Sequence, residues 1–374
     1  MDVYGATPQR PVPLALTFSI ALLLLGATWA SHGLCQELES AGKLDGGSYV
    51  FALAFSPDGR MLAAGGEKGV RLWEVAGREV VRDLLGGQRV RGVCFSPDAT
   101  LLAAGEYCEP PTRNARYFGR LSLWETASGK LRKKRTQESP IESVAFSPDG
   151  EMVAFGDHEG GVGLWRVADN RVDRLEHDDP APIRSVAFSP DGKTLAAGTD
   201  PPEPDFIPLR AADGTPIAPA GRPAGDDGTI LVWDLATRKR VFAFSEESSE
   251  GVSTLAFSPD GTMLAASHED GRIRFWDARS GKLLRSIEAH PAPSWTLSFV
   301  FSPNGKLLAS GAYSEPALRL WDVTTGRPLG SADAGRVRVS AVAFSPDGRL
   351  VATTPGAGSD GFVRLWELTA HDAE

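Results

Sequence analysis

The sequence predicts an all-β fold in which seven similar four-stranded units close into a ring, a seven-bladed β-propeller. Three observations predict it. The pentapeptide Phe-Ser-Pro-Asp-Gly, intact or with one change, occurs seven times in the 374 residues. Each copy is followed by a tryptophan that ends a short apolar stretch, and there are again seven of these. Without two insertions the copies recur about every 42 residues, the length of one propeller blade.

The repeated pentapeptide predicts a tight turn between two strands. Ser-Pro-Asp-Gly suits a type I turn because proline fixes φ at the second position and glycine suits the fourth. Ala99 replaces the glycine in the second copy and Asn304 replaces the aspartate in the sixth. The seven copies begin at Phe55, Phe95, Phe146, Phe188, Phe257, Phe301 and Phe344. The tryptophans that follow them are Trp73, Trp124, Trp165, Trp233, Trp276, Trp321 and Trp366.

Apolar stretches around each turn predict the strands of a blade. In the first copy a strand over 50–55 precedes the turn, and strands over 61–65 and 70–73 follow it. Small residues alternate with large ones there, as expected for a sheet that is buried on both faces. A single four-stranded sheet cannot hide two apolar faces, whereas a closed ring of sheets can. Turns such as 324–327 then lead into an outermost strand.

The repeats resemble those of the WD-repeat family. Leu-Trp-Asp or a close variant occurs at 232–234, 275–277 and 320–322, and Asp-Gly precedes the third strand in several copies. The resemblance covers residues 36 to 370. It implies a seven-bladed propeller in which residues 36–44 supply the outermost strand of the last blade, because little chain remains after the last tryptophan. That arrangement would remove a free sheet edge.

The family's usual buried hydrogen-bond network joins a histidine, a serine or threonine, an aspartate and the tryptophan. The resemblance implies that only one blade holds a full set: His177, Thr199, Asp227 and Trp233. A second blade lacks the histidine and holds Ser267, Asp270 and Trp276. A third lacks the aspartate and holds His290, Ser310 and Trp321. We therefore expect packing of the aromatic residues to stabilise the blades.

An apolar N-terminal segment predicts export. The run over 14–26 is broken only by Thr17 and Ser19, and Thr28 and Ala30 form a small-residue cleavage site. Its length is typical of a signal peptide. Extended to Ala30 it reaches the lower limit for a membrane span, so an uncleaved anchor over 14–30 is the alternative.

The sequence thus divides into a signal peptide or anchor over 1–30 and a propeller over 36–374. We expect an exported, bacterial-type protein that is periplasmic or secreted and contacts a membrane only through an uncleaved N-terminal segment. A lipoprotein modified at Cys35 is a third alternative, although His32-Gly33-Leu34 lacks the small residue that should precede the cysteine. In an oxidising compartment Cys35 and Cys108 could form a disulfide, which the sequence leaves open.

Charge and motifs argue against nucleic-acid binding and catalysis. The formal net charge of −9 repels phosphate backbones, so we expect no nucleic-acid partner. The sequence contains no nucleophile elbow, phosphate-binding loop or His-Glu-x-x-His motif. Four histidines near one face (His158, His177, His268 and His290) are too widely spread over the blades to predict a metal site. We expect no enzyme, no cofactor and no metal.

Comparison of the seven copies predicts where a partner binds. The fourth and sixth positions before the repeat phenylalanine vary, whereas their neighbours keep one residue type. The family architecture implies that these positions surround one mouth of the central channel, which we call the upper face. Aromatic and arginine residues there favour interface hot spots, and solvated rim residues are the alternative. The candidates are Trp295, Tyr49, Phe51, Arg89, Arg91, Arg184, Leu297 and Arg338.

Two insertions, at 106–119 and 199–227, fall between second and third strands, which the resemblance places on the same upper face. Long loops on a rigid scaffold commonly carry recognition, and tolerated surface growth is the alternative. The first insertion adds the candidates Tyr107, Arg113, Arg116, Tyr117 and Phe118, and the second adds Phe206 and Ile207.

The sequence therefore predicts a non-enzymatic scaffold whose upper face binds a protein partner. The arginines favour an acidic surface on that partner. The alternative is an extracytoplasmic propeller that binds or processes a small molecule or glycan at the channel mouth.

Overall fold

A computed structural model describes residues 35–47, 49–84, 88–110, 116–178, 181–200, 229–244, 251–291, 298–312, 315, 317–334, 339–355 and 361–371. The predicted signal or anchor over 1–30 and most of the second insertion lie outside the described residues. Within the described part of the chain, strands form seven four-stranded antiparallel sheets, which confirms the all-β propeller with seven blades. No helix in these ranges is long and apolar enough to cross a membrane.

Each blade contains four strands in chain order, from the innermost to the outermost. Blade 1 contains β2 (Val50–Phe55), β3 (Met61–Gly66), β4 (Gly69–Glu74) and β5 (Glu79–Leu84). Blade 2 contains β6 (Arg89–Phe95), β7 (Leu101–Cys108), β8 (Phe118–Glu125) and β9 (Leu131–Gln137). Blade 3 contains β10 (Ile141–Phe146), β11 (Met152–Asp157), β12 (Val162–Arg166) and β13 (Val172–Leu175). Blade 4 contains β14 (Ile183–Phe188), β15 (Thr194–Thr199), β16 (Ile230–Asp234) and β17 (Lys239–Phe244).

The second half of the ring repeats this order until the last blade. Blade 5 contains β18 (Val252–Phe257), β19 (Met263–His268), β20 (Arg272–Asp277) and β21 (Leu283–Glu288). Blade 6 contains β22 (Ser298–Phe301), β23 (Leu307–Gly311), β24 (Ala317–Asp322) and β25 (Pro328–Asp333). Blade 7 contains β26 (Val339–Phe344), β27 (Leu350–Pro355) and β28 (Phe362–His371), and its outermost strand is β1 (Cys35–Asp45).

The ring closes through β1, as the family resemblance implies. This strand pairs antiparallel with β28, from Cys35 opposite His371 to Asp45 opposite Phe362. The innermost strands contact one another in sequence around the channel, and β26 contacts β2. The first and last strands of the propeller therefore share one blade, which removes a free sheet edge at the junction.

Apolar packing between neighbouring blades forms the core. The described residues contain seven apolar clusters, each joining two adjacent blades. Glycines near the end of the second strands let the blades approach closely. A Cβ on Gly156 would lie 2.3 Å from Ile183 of the next blade, and one on Gly311 would lie 2.2 Å from Val339. The branched residue that recurs five positions before the repeat phenylalanine thus packs on a glycine in the preceding blade.

The Ser-Pro-Asp-Gly turns form as predicted. In the first copy the Gly59 amide donates to the Ser56 carbonyl at 2.8 Å, the bond that defines the turn. The Ser56 hydroxyl donates to Asp58 at 2.5 Å and accepts from the Met61 amide at 2.9 Å. The same bonds recur in the other copies, with Asn304 taking the aspartate's place in blade 6. Ala99 adopts φ +59°, a conformation that the other six copies give to glycine.

The structure describes only part of the buried set that the resemblance implied in blade 4. In blade 4 the Trp233 indole donates to the Glu176 carbonyl at 3.3 Å, and Thr199 accepts from the Thr229 amide. Asp227 lies outside the described residues. The Thr199 hydroxyl therefore serves the loop backbone and does not connect to the tryptophan.

Blade 6 instead holds a relay of side chains. The Trp321 indole donates to the Ser310 hydroxyl at 2.9 Å, and that hydroxyl lies 2.9 Å from Nε2 of His290. Nδ1 of His290 lies 2.5 Å from Glu315, which supplies the carboxylate where an aspartate was expected. Burial lowers the pKa of His290 to about 4, although Glu315 opposes this effect. The neutral ring can donate to Glu315 while accepting from Ser310, so every member of the relay has a partner.

The disulfide that the sequence left open does not form. Cys108 is a buried free thiol. Its strand, β7, ends on the upper face, whereas Cys35 pairs with His371 at the opposite end of β28. A disulfide needs Cα atoms within about 7 Å, which these positions on opposite faces do not provide.

Candidate partner-binding face

Strand directions define the upper face. Neighbouring strands within each blade are antiparallel, so the innermost strand begins on the side where the second strand ends and the third begins. The variable positions and both insertions therefore share one face, in agreement with the family architecture. The Ser-Pro-Asp-Gly turns lie on the opposite side, which we call the lower face.

A buried carboxylate organises the upper face between blades 2 and 4. Glu142, at the second position of β10, has a side chain that is only 3% exposed. Its carboxylate lies 3.3 Å from Nη1 of Arg91, 3.4 Å from Nη1 of Arg184 and 3.2 Å from Nδ1 of His158. Burial alone would raise the pKa of Glu142, but Arg91, the His158 hydrogen bond and Arg184 together lower it to about 2. The ionised carboxylate thus ties three neighbouring blades together at the channel mouth.

The second arginine of this cluster has another acidic partner. Nε of Arg184 lies 2.7 Å from Asp200, which directly follows β15. The charges of Arg91 and Arg184 are therefore balanced within the protein. Arg89 makes no ion pair with a described residue, so it supplies most of the unbalanced positive charge here. The expectation of an acidic partner thus depends on fewer arginines than the sequence suggested.

Aromatic rings extend from the carboxylate cluster toward solvent. The Arg91 guanidinium lies 5.3 Å from the ring centre of Phe51 and 5.6 Å from that of Tyr107. The Phe51 ring contacts Tyr49 at 4.8 Å, and Tyr107 contacts Tyr117 at 5.1 Å. Four candidate aromatic residues thus form one continuous array around a single arginine, with cation–π contacts at its centre.

The first insertion builds one end of this array by lengthening a hairpin. Tyr107 pairs with Gly119 and Cys108 with Phe118, so β7 and β8 continue past the length of the other blades. Tyr107 is only 4% exposed, whereas Tyr117 is 43% exposed. Burial and Glu142 raise the pKa of Tyr107. Tyr107 therefore supports the array from below, and Tyr117 presents a ring to solvent.

The remaining candidates divide between the rim and the undescribed ranges. Arg116 is exposed and lies 3.7 Å from Glu159, and the half-buried Phe118 ring lies under the Arg120 guanidinium. Six candidates lie outside the described residues: Trp295, Leu297, Arg338, Arg113, Phe206 and Ile207.

Sequence reasoning missed the residues that hold the array together. Glu142 occupies a variable position but was not among the candidates, while His158 and Asp200 belong to loops. One feature of the sequence could have revealed Glu142: it stands at the same repeat position as Arg91 and Arg184 in the two neighbouring blades. No group of three or more His, Cys, Asp or Glu side chains within the described ranges is placed to hold a metal ion.

Comparison with known proteins supports the repeat assignment. Residues 38–74, 129–166, 170–201 and 327–367 match the family described as WD domain, G-beta repeat. Four stretches of this seven-bladed propeller therefore match WD40 repeats. Residues 225–312 also match the Vps8 beta-propeller family. The crystal structure of the Cps50 (Swd1) β-propeller domain of Myceliophteria thermophila superposes with a TM-score of 0.69 at 16% identity, covering 89% of this chain and all of that one.

Similar sequences occur in larger proteins. The periodic tryptophan protein 2 homolog of Dictyostelium discoideum is 26% identical over 53% of this chain and 19% of its own length. Telomerase protein component 1 of Rattus norvegicus is 26% identical over 52% of this chain and 6% of its own length. The match thus spans a small part of each relative. Both relatives are eukaryotic, so the expected bacterial-type export stays a prediction from the N-terminal sequence.

Proposed function

We propose that this protein is a non-enzymatic interaction scaffold whose upper face binds a partner protein through the aromatic and arginine array of blades 1 and 2. The WD40 repeats support a scaffold in general. The observation that carries the choice of face is the contact chain from Tyr49 through Phe51, Arg91 and Tyr107 to Tyr117. Rigid aromatic rings on a fixed arginine are the groups that dominate interface energies.

Preorganisation is the physical reason that this array suits binding. Arg91 is held by Glu142 and by two rings, so a partner would not have to order it. Immobilising a long side chain on binding costs about 0.5–1.5 kcal/mol, and this array has already met that cost on folding. The exposed Tyr117 and the half-buried Tyr49 extend from the fixed centre and offer the contact area. Arg89 adds a cation that favours an acidic group on the partner.

The test compares two matched double variants as bait for partners from the cells that make the protein. Tyr49→Ser/Tyr117→Ser removes the exposed ring of Tyr117 and the half-buried ring of Tyr49 from the upper face. Val241→Ser/Leu284→Ser removes two exposed apolar side chains from outermost strands on the side of the ring. We expect the upper-face variant to reduce recovery of a specific partner about tenfold or more, the effect of losing one or two hot-spot residues. The side variant should recover that partner as the wild type does.

Equal recovery with both variants would refute the choice of face, and equal loss would indicate non-specific apolar capture. Fractionation of the source cells tests the extracytoplasmic location, which we retain as a prediction. Absence of nucleic-acid binding likewise stays a prediction from the net charge.

A further inference from the structure

The lower face holds a groove between blades 1 and 2 that the proposed function does not use. Its volume is about 750 Å³, and its walls come from the turn and outer strands of blade 1 and from the turn and third strand of blade 2. Arg82 of β5 donates to the Ala127 carbonyl at 2.6 Å and so links the two walls. The groove is therefore a fixed feature of this blade junction.

Carboxylates dominate the lining of the groove. Five acidic residues face one cationic residue, Arg60, and the lining belongs wholly to the described part of the chain. The acidic residues are Asp58, Glu74, Glu79, Asp98 and Glu125. Three of them have partners in the protein, since Asp58 and Asp98 accept from turn serines and Glu125 accepts from Ser128 and Arg132. Glu74 and Glu79 make no ion pair with a described residue.

Glu74 and Glu79 also lie directly opposite each other in the sheet, paired between β4 and β5. Like charges in such cross-strand positions destabilise a sheet. Four other blades have opposite charges at the corresponding positions, where the third strand ends and the fourth begins. These pairs are Glu125 with Lys130, Asp234 with Lys239, Asp277 with Lys282, and Asp322 with Arg327. Blade 3 places Arg166 and Arg171 there, and blades 1 and 7 each keep an acidic pair, of which only the blade 1 pair lines the groove, where a cation from outside could neutralise it.

Blade 2 departs from the repeat at the same groove. Thr126 occupies a position that is apolar in the other six blades, for example Val75, Val167 and Val323. In each case the backbone amide of this residue donates to a carbonyl just after the Ser-Pro-Asp-Gly turn. Thr126 is 6% exposed, and its hydroxyl has no hydrogen-bond partner. Ala99, which also lines the groove, keeps a backbone conformation suited to glycine. The unpaired hydroxyl of Thr126 and the positive φ of Ala99 each lower the stability of this region, and packing explains neither residue.

Apolar surface completes the groove. Val80 and Val81 of β5 line it and are 48% and 44% exposed, among the most exposed large apolar side chains of the described residues. Exposed valines beside unpaired carboxylates fit a ligand that has both apolar and positively charged groups. The carboxylates repel phosphates, so nucleic acids and anionic lipid surfaces do not fit.

We propose that this lower-face groove binds a peptide segment of a partner protein in which lysine or arginine side chains flank apolar ones. The basic side chains pair with Glu74 and Glu79, and an apolar side chain packs on Val80 and Val81. This site lies on the face opposite the aromatic array, so it stands or fails independently of the proposed function.

The probe is a fluorescein-labelled peptide, Lys-Leu-Lys-Val-Lys-Leu, titrated with the full chain and followed by fluorescence polarisation at physiological ionic strength. Two matched peptides replace every lysine with glutamate, or every apolar residue with serine. We expect saturable binding of the first peptide only. Glu74→Gln/Glu79→Gln should weaken it about tenfold, as expected for the loss of two partly exposed ion pairs. Val80→Ser/Val81→Ser should weaken it about fivefold.

The matched control is Glu39→Gln/Glu367→Gln. These residues form the corresponding acidic pair of blade 7 and do not line the groove, and their replacement changes the net charge by the same amount. This control should bind within about twofold of the wild type. Equal weakening by both glutamine variants would mean attraction to net charge alone and would overturn the proposal. Binding of the lysine–serine peptide as tightly as the first peptide, or no saturable binding, would overturn it as well. All substituted side chains are partly or fully exposed, and circular dichroism of each variant checks that it is folded.

Discussion

The ionised Glu142 should be one of the larger single contributors to stability on the upper face, and Glu142→Gln tests this. Its pKa falls from 4.5 to about 2 in the folded protein. At about 1.4 kcal/mol for each tenfold change in proton affinity, the charged form stabilises the fold by about 3 kcal/mol at pH 7. Glutamine keeps the shape and removes the charge, so the variant should lose about that amount. Arg184 retains Asp200, whereas Arg91 keeps only its aromatic neighbours.

The pH dependence separates this charge effect from a packing effect. The folded pKa lies below the unfolded value, so the contribution is complete above about pH 5 and disappears as the pH falls toward 2. The difference between wild type and Glu142→Gln in urea unfolding should therefore shrink from about 3 kcal/mol at pH 7 to about 1 kcal/mol at pH 3. Glu138→Gln removes an exposed charge from the segment just before β10 and should change stability little at either pH. A difference for Glu142→Gln below about 0.5 kcal/mol, or one that is the same at both pH values, would refute the reasoning.

Three further predictions concern the repeats. Ala99→Gly should raise the free energy of unfolding by about 0.5–1 kcal/mol, because glycine adopts the φ of +59° without strain. Gly150→Ala at the matching turn should lower it, and urea unfolding of both variants checks the two signs. Ser310→Ala should cost about 1–3 kcal/mol because it leaves Nε2 of the buried His290 unpaired, and an unchanged urea midpoint would contradict the relay. The Ser147 hydrogen bond lowers the pKa of Asp149, so the turn loses stability as the pH falls below about 4. In Asp149→Asn the free energy of unfolding should therefore depend less steeply on pH in this range, and an unchanged slope would argue against the prediction.

The fold could be predicted from sequence because its physical requirements repeat seven times. Each turn has the same serine and proline with an aspartate or, in blade 6, an asparagine, and each blade junction needs a small residue under a branched one, as at Gly156 and Ile183. A single copy of such a pattern is weak evidence, whereas seven copies at one spacing specify the ring. The closing strand followed from the same count, since the last repeat ended before its fourth strand.

The site could be predicted only in part, because the comparison of repeats finds positions that packing leaves free without showing what those residues contact. It grouped Arg91 and Arg184 as exposed cations, and the structure pairs both with Glu142. Sequence reasoning likewise found no carboxylate for His290, because it looked for an aspartate, whereas Glu315 stands six residues before Trp321, the position that Asp270 holds before Trp276. A search for one residue type therefore misses another residue type that supplies the same chemical group at the same repeat position.

The two proposed binding regions lie in the same pair of blades but at opposite ends of their strands. A strand of six or seven residues, such as β2 or β6, spans about 20 Å, well beyond the Debye length of about 8 Å at physiological salt. Glu142 is also neutralised by Arg91 and Arg184, and Glu74 is exposed to solvent, so their mutual repulsion at this distance is about 0.2 kcal/mol or less. Substitutions at the two regions should add in free energy within about 0.5 kcal/mol. A scaffold built in this way can hold one partner on each face without either altering the affinity for the other.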